Sequence, residues 1–360
     1  MGYDFKLRMI TLHLDCRRLD DPMGALEEYS TLLAQAADTV YAEIQLPVWS
    51  RRIVLDYCDK DIAMGIIENY TLDETLISLG NYEARAIDAD FLDRLTEEGF
   101  FAAILLKEGS WEEARHVSRL IHALTESDPS KATRIGVNVL GTRIDTPYFP
   151  LAATREHLRA TAGLLYPNYL LGEYRRDGMD GLVHGIEEAA KKAEEGLKIA
   201  ANILKVDSAG VDLSISPWME ESSLGLIEYV AGVRLPEAGF AHGLALVNKA
   251  VGMVASNMET VGFNEVQLPV AEDAKLKARV SELETTARDL ARLSGVCLAG
   301  LDLAVIPANI DYVAGILLET RGYSLAKGRP LGVRIIPVED VEPGDKVYLD
   351  KFGETPVMKP

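Results

Sequence analysis

The chain has 360 residues, 48% of them apolar and 26% charged, with a formal charge of -19. That length suits one large domain or two closely joined ones, and the composition suits a chain that folds. The acidic balance argues against nonspecific binding to nucleic acid or anionic membrane, and three cysteines (Cys16, Cys58, Cys297) without CxxC spacing argue against a disulfide framework and a structural zinc site.

The opening MGYDFKLRMITLHLD alternates in hydrophobicity, unlike a signal peptide, and no run of about 18 apolar residues is present. The expectation is a cytoplasmic protein without nucleic-acid or membrane partners. Along the chain, 6–15 reads as a strand and 23–41 as a helix, capped by Asp21 with Pro22 in its first turn. Residues 52–57 read as a strand and 61–79 as helical, with a break offered at Thr71 and Asp73. Strands follow at 81–87, 102–106 and 134–140. Helices at 90–98 and 110–125 lie between them, the second opening on a Ser110–Glu113 capping box. A long helix is expected at 181–205, another at 239–255, a short strand at 264–270 and a kinked helix at 272–293. A strand at 331–337 and a turn-rich tail with one β segment at 346–349 finish the chain.

One phrase occurs twice. AGVDLSISP begins at Ala209 and AGLDLAVIP at Ala299, with five of nine positions identical, and each is followed by a related helix, IEYVAGV or IDYVAGI. Strands alternating with helices imply parallel βα units, and this many of them suit closure into a barrel. The fold expected is an α/β barrel of about ten strands in two five-stranded halves with helices outside. It forms one domain over 1–337, followed by a tail over 338–360.

Successive strand residues face opposite sides, and several strands carry polar groups on the face turned from the helices. That places His13, Glu83, Arg85, Asn138, Asp212, Ser214, Glu265, Asp302 and Arg334 around an enclosed interior. Buried polar groups are costly unless paired, hydrated or bound to a ligand, so the pattern marks a candidate site. Asp212, Asp302 and His13 are the candidate acid–base groups. Arg334, Arg85, Glu83, Asn138 and Ser214 are the candidate substrate contacts. Each has a plain alternative: the aspartates accept backbone hydrogen bonds or pair with Arg334, and His13 is a satisfied core residue. His242 joins the candidates because it sits at a glycine-flanked helix start, where amides bind anions. His116, His122, His157 and His184 read as surface residues in helical segments, and Arg175–Arg176 as solvated. Cys297 reads as a small buried hydrophobe rather than a nucleophile. Motifs such as GxGxxG after a strand, GxxxxGK[ST], GxSxG and HExxH are absent. Asp, Glu and Asn with one histidine leave a divalent metal open, as they leave metal-free acid–base chemistry open.

The stretches FNEVQLPVAEDAKLKAR, LARLSGVCLAGLDLAVIPA and GRPLGVRIIPVEDVEPGDKV, with RIGVNVLGTRIDTPYFPLAAT upstream, resemble domain-of-unknown-function family 711, also called uncharacterised protein family 0210. The resemblance implies a ten-stranded barrel similar to the pyruvate formate-lyase-like fold. It does not imply glycyl-radical chemistry: TRGYSL at 320–325 sets Arg321 directly beside Gly322, lacks the spacing of the radical motif and reads as a helix C-cap and turn. It supplies no catalytic residues.

The reading favoured is an enzyme acting on a small polar or anionic metabolite inside the barrel. The alternative is a noncatalytic metabolite sensor or scaffold, and a homo-oligomer stays open. The two aspartate copies are not equivalent, because Ser214 and Ser216 become Ala304 and Ile306. The sequence favours a site nearer Asp212, with Asp302 as its partner.

Overall fold

The computed structural model describes residues 4–296 and 301–360. Cys297, Ala299 and Gly300 lie outside the described residues.

The first half alternates strand and helix. β1 (Lys6–Asp15), β2 (Arg51–Asp56), β3 (Thr75–Glu83), β4 (Phe101–Leu105) and β5 (Ile135–Asn138) lie side by side in chain order, all parallel. Helices α1 (Pro22–Ile44), α2 (Lys60–Asn69), α3 (Ala89–Glu97) and α4 (Trp111–Ser127) make the crossovers. All four start the same way: Asp21, Asp59, Asp88 and Ser110 each accept the amide three residues on. Each cap satisfies an amide that has no partner inside the helix. Glu113 does not complete the expected capping box. Its carboxylate accepts instead from the Lys107 and Gly109 amides and ties down the preceding loop.

The second half runs β6 (Arg159–Leu165), α5 (Pro167–Leu204), β7 (Asp207–Asp212), α6 (Ser223–Ala231), α7 (Phe240–Ala255), α8 (Ala274–Ser281), α9 (Ala287–Arg292), β8 (Asp302–Pro307), α10 (Ile310–Lys327) and β9 (Gly332–Val338). β6 is parallel to β7 and β8 to β9, while β6 runs antiparallel to β1 and β9 to β5. The result is a nine-stranded, mostly parallel sheet in the order β7-β6-β1-β2-β3-β4-β5-β9-β8. In the tail, β10 (Lys346–Tyr348) and β11 (Glu354–Pro356) form a small hairpin. The Met358 amide donates to the Val305 carbonyl and the Ala287 amide to that of Lys359, which pins the tail to β8 and to the start of α9. Among the described residues no helix is long and apolar enough to cross a membrane.

Several expectations are corrected. The ten-strand count is not met by continuous ladders: 264–270 is not a strand. This region makes single parallel bridges from Thr260 to Val211, Val266 to Ile215 and Pro269 to Asp302. Asn264 at φ 54° turns the chain out of extended geometry, and Pro269 has no amide to give a ladder. The helical spacing of 61–79 is broken after Asn69, and Thr75–Leu79 belongs to β3. β6 was not expected, and α5 begins at Pro167 with a break at Asp177 and Gly178. Residues 320–325 lie within α10 rather than at its C-cap, which is Gly328. The expected helix over 272–293 is divided at Leu283, where φ is 59°, and Thr286 with Asp289 caps a new start.

The sheet's two faces differ. Ile10, Leu12 and Leu14 of β1 and Ile53 and Leu55 of β2 join the main core with Leu33 and Val40 of α1. The other face carries Thr11, His13, Arg52, Val54 and Asp56, and Val54 packs there with Phe101, Phe149 and Ala152 in a separate small cluster. Register slips between Leu7 and Met9 against β6. A bulge of this kind re-aims one side chain, here Arg8, out of strict alternation.

Candidate functional site

A cavity of about 490 Å³ opens on this second face, within the range of small-molecule sites. Arg8 of β1, Arg52 of β2, Arg334 of β9 and Lys351 of the tail line it, with Glu272 and Asp302 as their carboxylate neighbours. Trp49, Trp218, Phe101, Phe149 and Phe352 supply its apolar wall, and Tyr148 and Gln267 also reach it.

The two carboxylates are already committed. Asp302 and Arg334 are register partners on adjacent parallel strands. Arg334 Nε donates to Asp302 Oδ1 at 2.6 Å and Nη2 to Oδ2 at 2.9 Å, a bidentate pair. Nη2 also reaches Glu272 Oε1 at 3.4 Å. Arg8 Nη2 donates to Glu272 Oε2 at 2.5 Å and Nη1 to the Pro217 carbonyl at 2.5 Å. Burial works to raise the Glu272 carboxyl, but Arg8 and Arg334 outweigh it and hold it below its ordinary range. Burial likewise opposes the charge on Arg334, and Asp302 and Glu272 overcome it. The Arg8 guanidinium lies 5.4 Å and 5.9 Å from the Trp49 and Trp218 ring centroids.

Two cations are not committed in this way. Arg52 is buried and donates only Nε to Ser50 Oγ at 3.1 Å, with its guanidinium 5.3 Å from the Phe149 centroid. Among the described residues no carboxylate pairs with it. Burial and the like charge of Arg8 disfavour its charged form. Lys351 lines the cavity 5.8 Å from the Phe101 centroid and 5.3 Å from that of Phe352, also without a carboxylate partner among the described residues. Desolvation holds its amine down at about 8 against the pull of Glu272, with Arg52, Arg134 and Arg334 adding repulsion. Arg8 Nε and Gln267 Nε2 also lack acceptors among the described residues, but both atoms are sealed from the cavity. With both carboxylates gripped by arginine, this donor set does not fit a divalent cation, which takes oxygen ligands free of such partners.

Of the candidates read from sequence, Asp302 and Arg334 line this cavity. The others do not. Asp212 is fully buried and accepts from Thr146 Oγ1, Ser214 N, Ser214 Oγ, Phe263 N and Asn264 N. It fastens the 261–264 turn to the end of β7. Ser214 Oγ donates to Asp212 Oδ1 at 2.6 Å and accepts the Glu265 amide. His13 has both ring nitrogens engaged, by the Ala153 carbonyl and Thr161 Oγ1, each at 2.8 Å, and burial lowers its pKa. Asn138 donates to the Thr142 carbonyl and accepts the Leu140 amide, closing a loop. Glu83 and Arg85 are exposed, paired with Lys107 and Glu108, because β3 ends at Glu83 and the alternation stops there. Glu265 pairs with Lys327 and Arg329. His242 is exposed in the first turn of α7. His157 lies in a bend rather than a helix and accepts the Asp15 amide. The one His/Cys/Asp/Glu group among the described residues with ligand atoms within 4.8 Å of one another is His122, Glu126 and Glu339, none of which lines the cavity.

The sequence reading passed over Arg8, Arg52, Glu272 and Lys351. Alternation applied to RRIVLD would have found Arg52. The bulge hid Arg8, and nothing local marks Glu272 or Lys351.

A family model described as "Uncharacterised ACR (DUF711)" matches residues 112–350, which carry Glu272, Asp302 and Arg334. A UPF0210 protein of Methanopyrus kandleri is 34% identical over 166 residues, 44% of this chain and 36% of that protein. One of Pyrobaculum arsenaticum is 35% identical over 153 residues, 40% of this chain and 34% of its own length. The matched stretch thus spans about a third of these two relatives. A UPF0210 protein of Streptococcus thermophilus aligns with 99% of this chain and 91% of its own length, at 23% identity. The chain belongs to the DUF711 family, whose curated relatives carry the name UPF0210 protein.

Proposed function

We propose that the cavity binds a small anionic metabolite and that the chain is an enzyme acting on it by acid–base chemistry. The observation that carries the binding is Arg52, a buried cation facing the cavity without a carboxylate partner among the described residues. An uncompensated buried charge is costly, and a bound oxyanion supplies what Arg52 lacks. Lys351 is the candidate proton donor, since an ammonium held near 8 exchanges protons close to neutral pH. The contacts of 260–269 with both edge strands, β7 and β8, support a ten-position barrel around this interior.

Calorimetry of the full chain against a panel of small carboxylates and phosphates tests the binding. At least one anion is expected to bind the parent protein and to lose affinity in Arg52→Met. If none binds, or if Arg52→Met changes nothing, the reading fails. Turnover of a bound anion that Lys351→Met abolishes even at saturating anion supports the enzyme. Binding without turnover of any bound anion leaves a sensor instead.

A further inference from the structure

The charges inside the cavity do not balance. Arg8, Arg52, Arg334 and Lys351 are met there by Glu272 and Asp302 alone. Of the other charged lining residues, Arg51 pairs with Glu74, and Asp38 is exposed, as Lys351 is. In a chain of net charge -19, the cavity still carries a net positive charge, and Arg52 and Lys351 are its two cations without a carboxylate partner among the described residues.

The hydrogen-bond inventory leans the same way. The carboxylate oxygens are held by Arg8 and Arg334. The groups left over are donors: the Arg52 guanidinium and the Lys351 ammonium. Leaving such donors unsatisfied costs free energy that an acceptor-rich ligand recovers.

Size and wall chemistry add a third constraint. Inorganic phosphate alone would leave most of about 490 Å³ unfilled. Phe101 and Phe149 stand 5.4 Å apart beside Arg52, and Trp218 stands 5.7 Å from Phe352 beside Lys351. These rings ask for an apolar or planar body next to the charged groups.

We infer that the ligand is an organic dianion, a dicarboxylate or a phosphate monoester with an apolar or aromatic body, whose two charges answer Arg52 and Lys351. This rests on the proposed anion site and narrows it. A dianion meets both unpaired cations, whereas a monoanion leaves one of them unmatched. Neutral aromatic compounds leave both cations unpaired.

The test is calorimetry of the full chain at pH 7 with benzoate, phthalate, phenyl phosphate and inorganic phosphate, repeated with Arg52→Met and Lys351→Met. Phthalate or phenyl phosphate is expected to bind at least about tenfold more tightly than benzoate, the scale of one added charge-assisted hydrogen bond. Each variant is expected to close most of that gap. Phenyl phosphate is expected to outbind inorganic phosphate. Equal affinity for benzoate and both dianions, still dependent on Arg52, overturns the dianion and leaves the anion site standing. Inorganic phosphate binding as tightly as phenyl phosphate overturns the organic body. Failure of all four to bind, or binding indifferent to both substitutions, overturns the anion site as well.

Discussion

Asp302 and Arg334 face each other in register across β8 and β9 and are joined by two parallel hydrogen bonds inside the cavity. Neither can be changed alone without leaving its partner charged and desolvated. Asp302→Asn is expected to lower stability by about 3 kcal/mol, the cost of breaking a buried pair. The double variant Asp302→Leu with Arg334→Met removes both charges and should recover part of that loss. Chemical denaturation of the three variants checks this, and a double variant as unstable as the sum of the singles would contradict it.

Arg52 makes the opposite prediction. Among the described residues it has no carboxylate partner to lose, so Arg52→Met removes a buried charge at the cost of one hydrogen bond to Ser50 and the contact with Phe149. The ligand-free variant is expected to melt above the parent, by an amount on the order of 1 kcal/mol, while losing anion binding. A scan of both proteins in anion-free buffer decides it: a lower melting point for the variant means that Arg52 is structurally paired.

Much of this arrangement was legible before the structure. The alternation in KLRMITLHLD assigns Ile10, Leu12 and Leu14 to one face and His13 to the other, and the main core holds the first three. The doubled phrase marks two βα units, β7 and β8 with the helices that follow. Which aspartate reaches the cavity was not legible. The sequence favours Asp212 because Ser214 and Ser216 lie beside it as polar groups, but Ser214, Thr146 and the Phe263 and Asn264 amides satisfy Asp212 and close it off. Asp302, with Ala304 and Ile306 in place of the serines, has no local partner and so depends on Arg334. Arg334 lies 32 residues away in sequence. Lys351 reaches the cavity only because the tail docks on β8, a long-range contact that no local pattern announces.

Gly262 tests the structural reading of Asp212. Its φ is 73°, and a Cβ there would sit 2.0 Å from Asp212 Oδ2 and 2.9 Å from Thr146 Oγ1. Gly262→Ala therefore combines backbone strain with a collision inside the five-donor cage, and a loss of about 3 kcal/mol or more is expected. Asp212→Asn keeps one carbonyl acceptor and should lose less than Asp212→Ala. Equal stability of Gly262→Ala and the parent would show that the turn does not depend on this cage.

Glu272 sets the acid limit of the cavity. Its carboxyl sits below the ordinary 4.5 when folded, because Arg8 and Arg334 outweigh burial. A depressed carboxyl contributes stability that is present above its unfolded pKa and is lost as pH falls through the folded value. The parent should therefore lose stability below about pH 4.5 more steeply than Glu272→Gln, whose own stability at neutral pH should be lower. Parallel acid slopes for the two would place the titration elsewhere.

Lys351 sets the alkaline limit of binding. Desolvation and the neighbouring cations hold its amine at about 8 in the free protein. A bound anion favours the ammonium form and raises that value, so binding takes up a proton. Affinity for a dicarboxylate, whose own charge is constant in this range, is expected to be flat below pH 8. It should fall as pH rises through 8, until the pKa of the bound state is reached. Lys351→Arg keeps a charge that does not titrate there, so its affinity should stay level from pH 7 to about 9.5. Titrations of both proteins across that range check the sign: an affinity that climbs above pH 8, or an equal fall in Lys351→Arg, would remove Lys351 from the ligand's contacts.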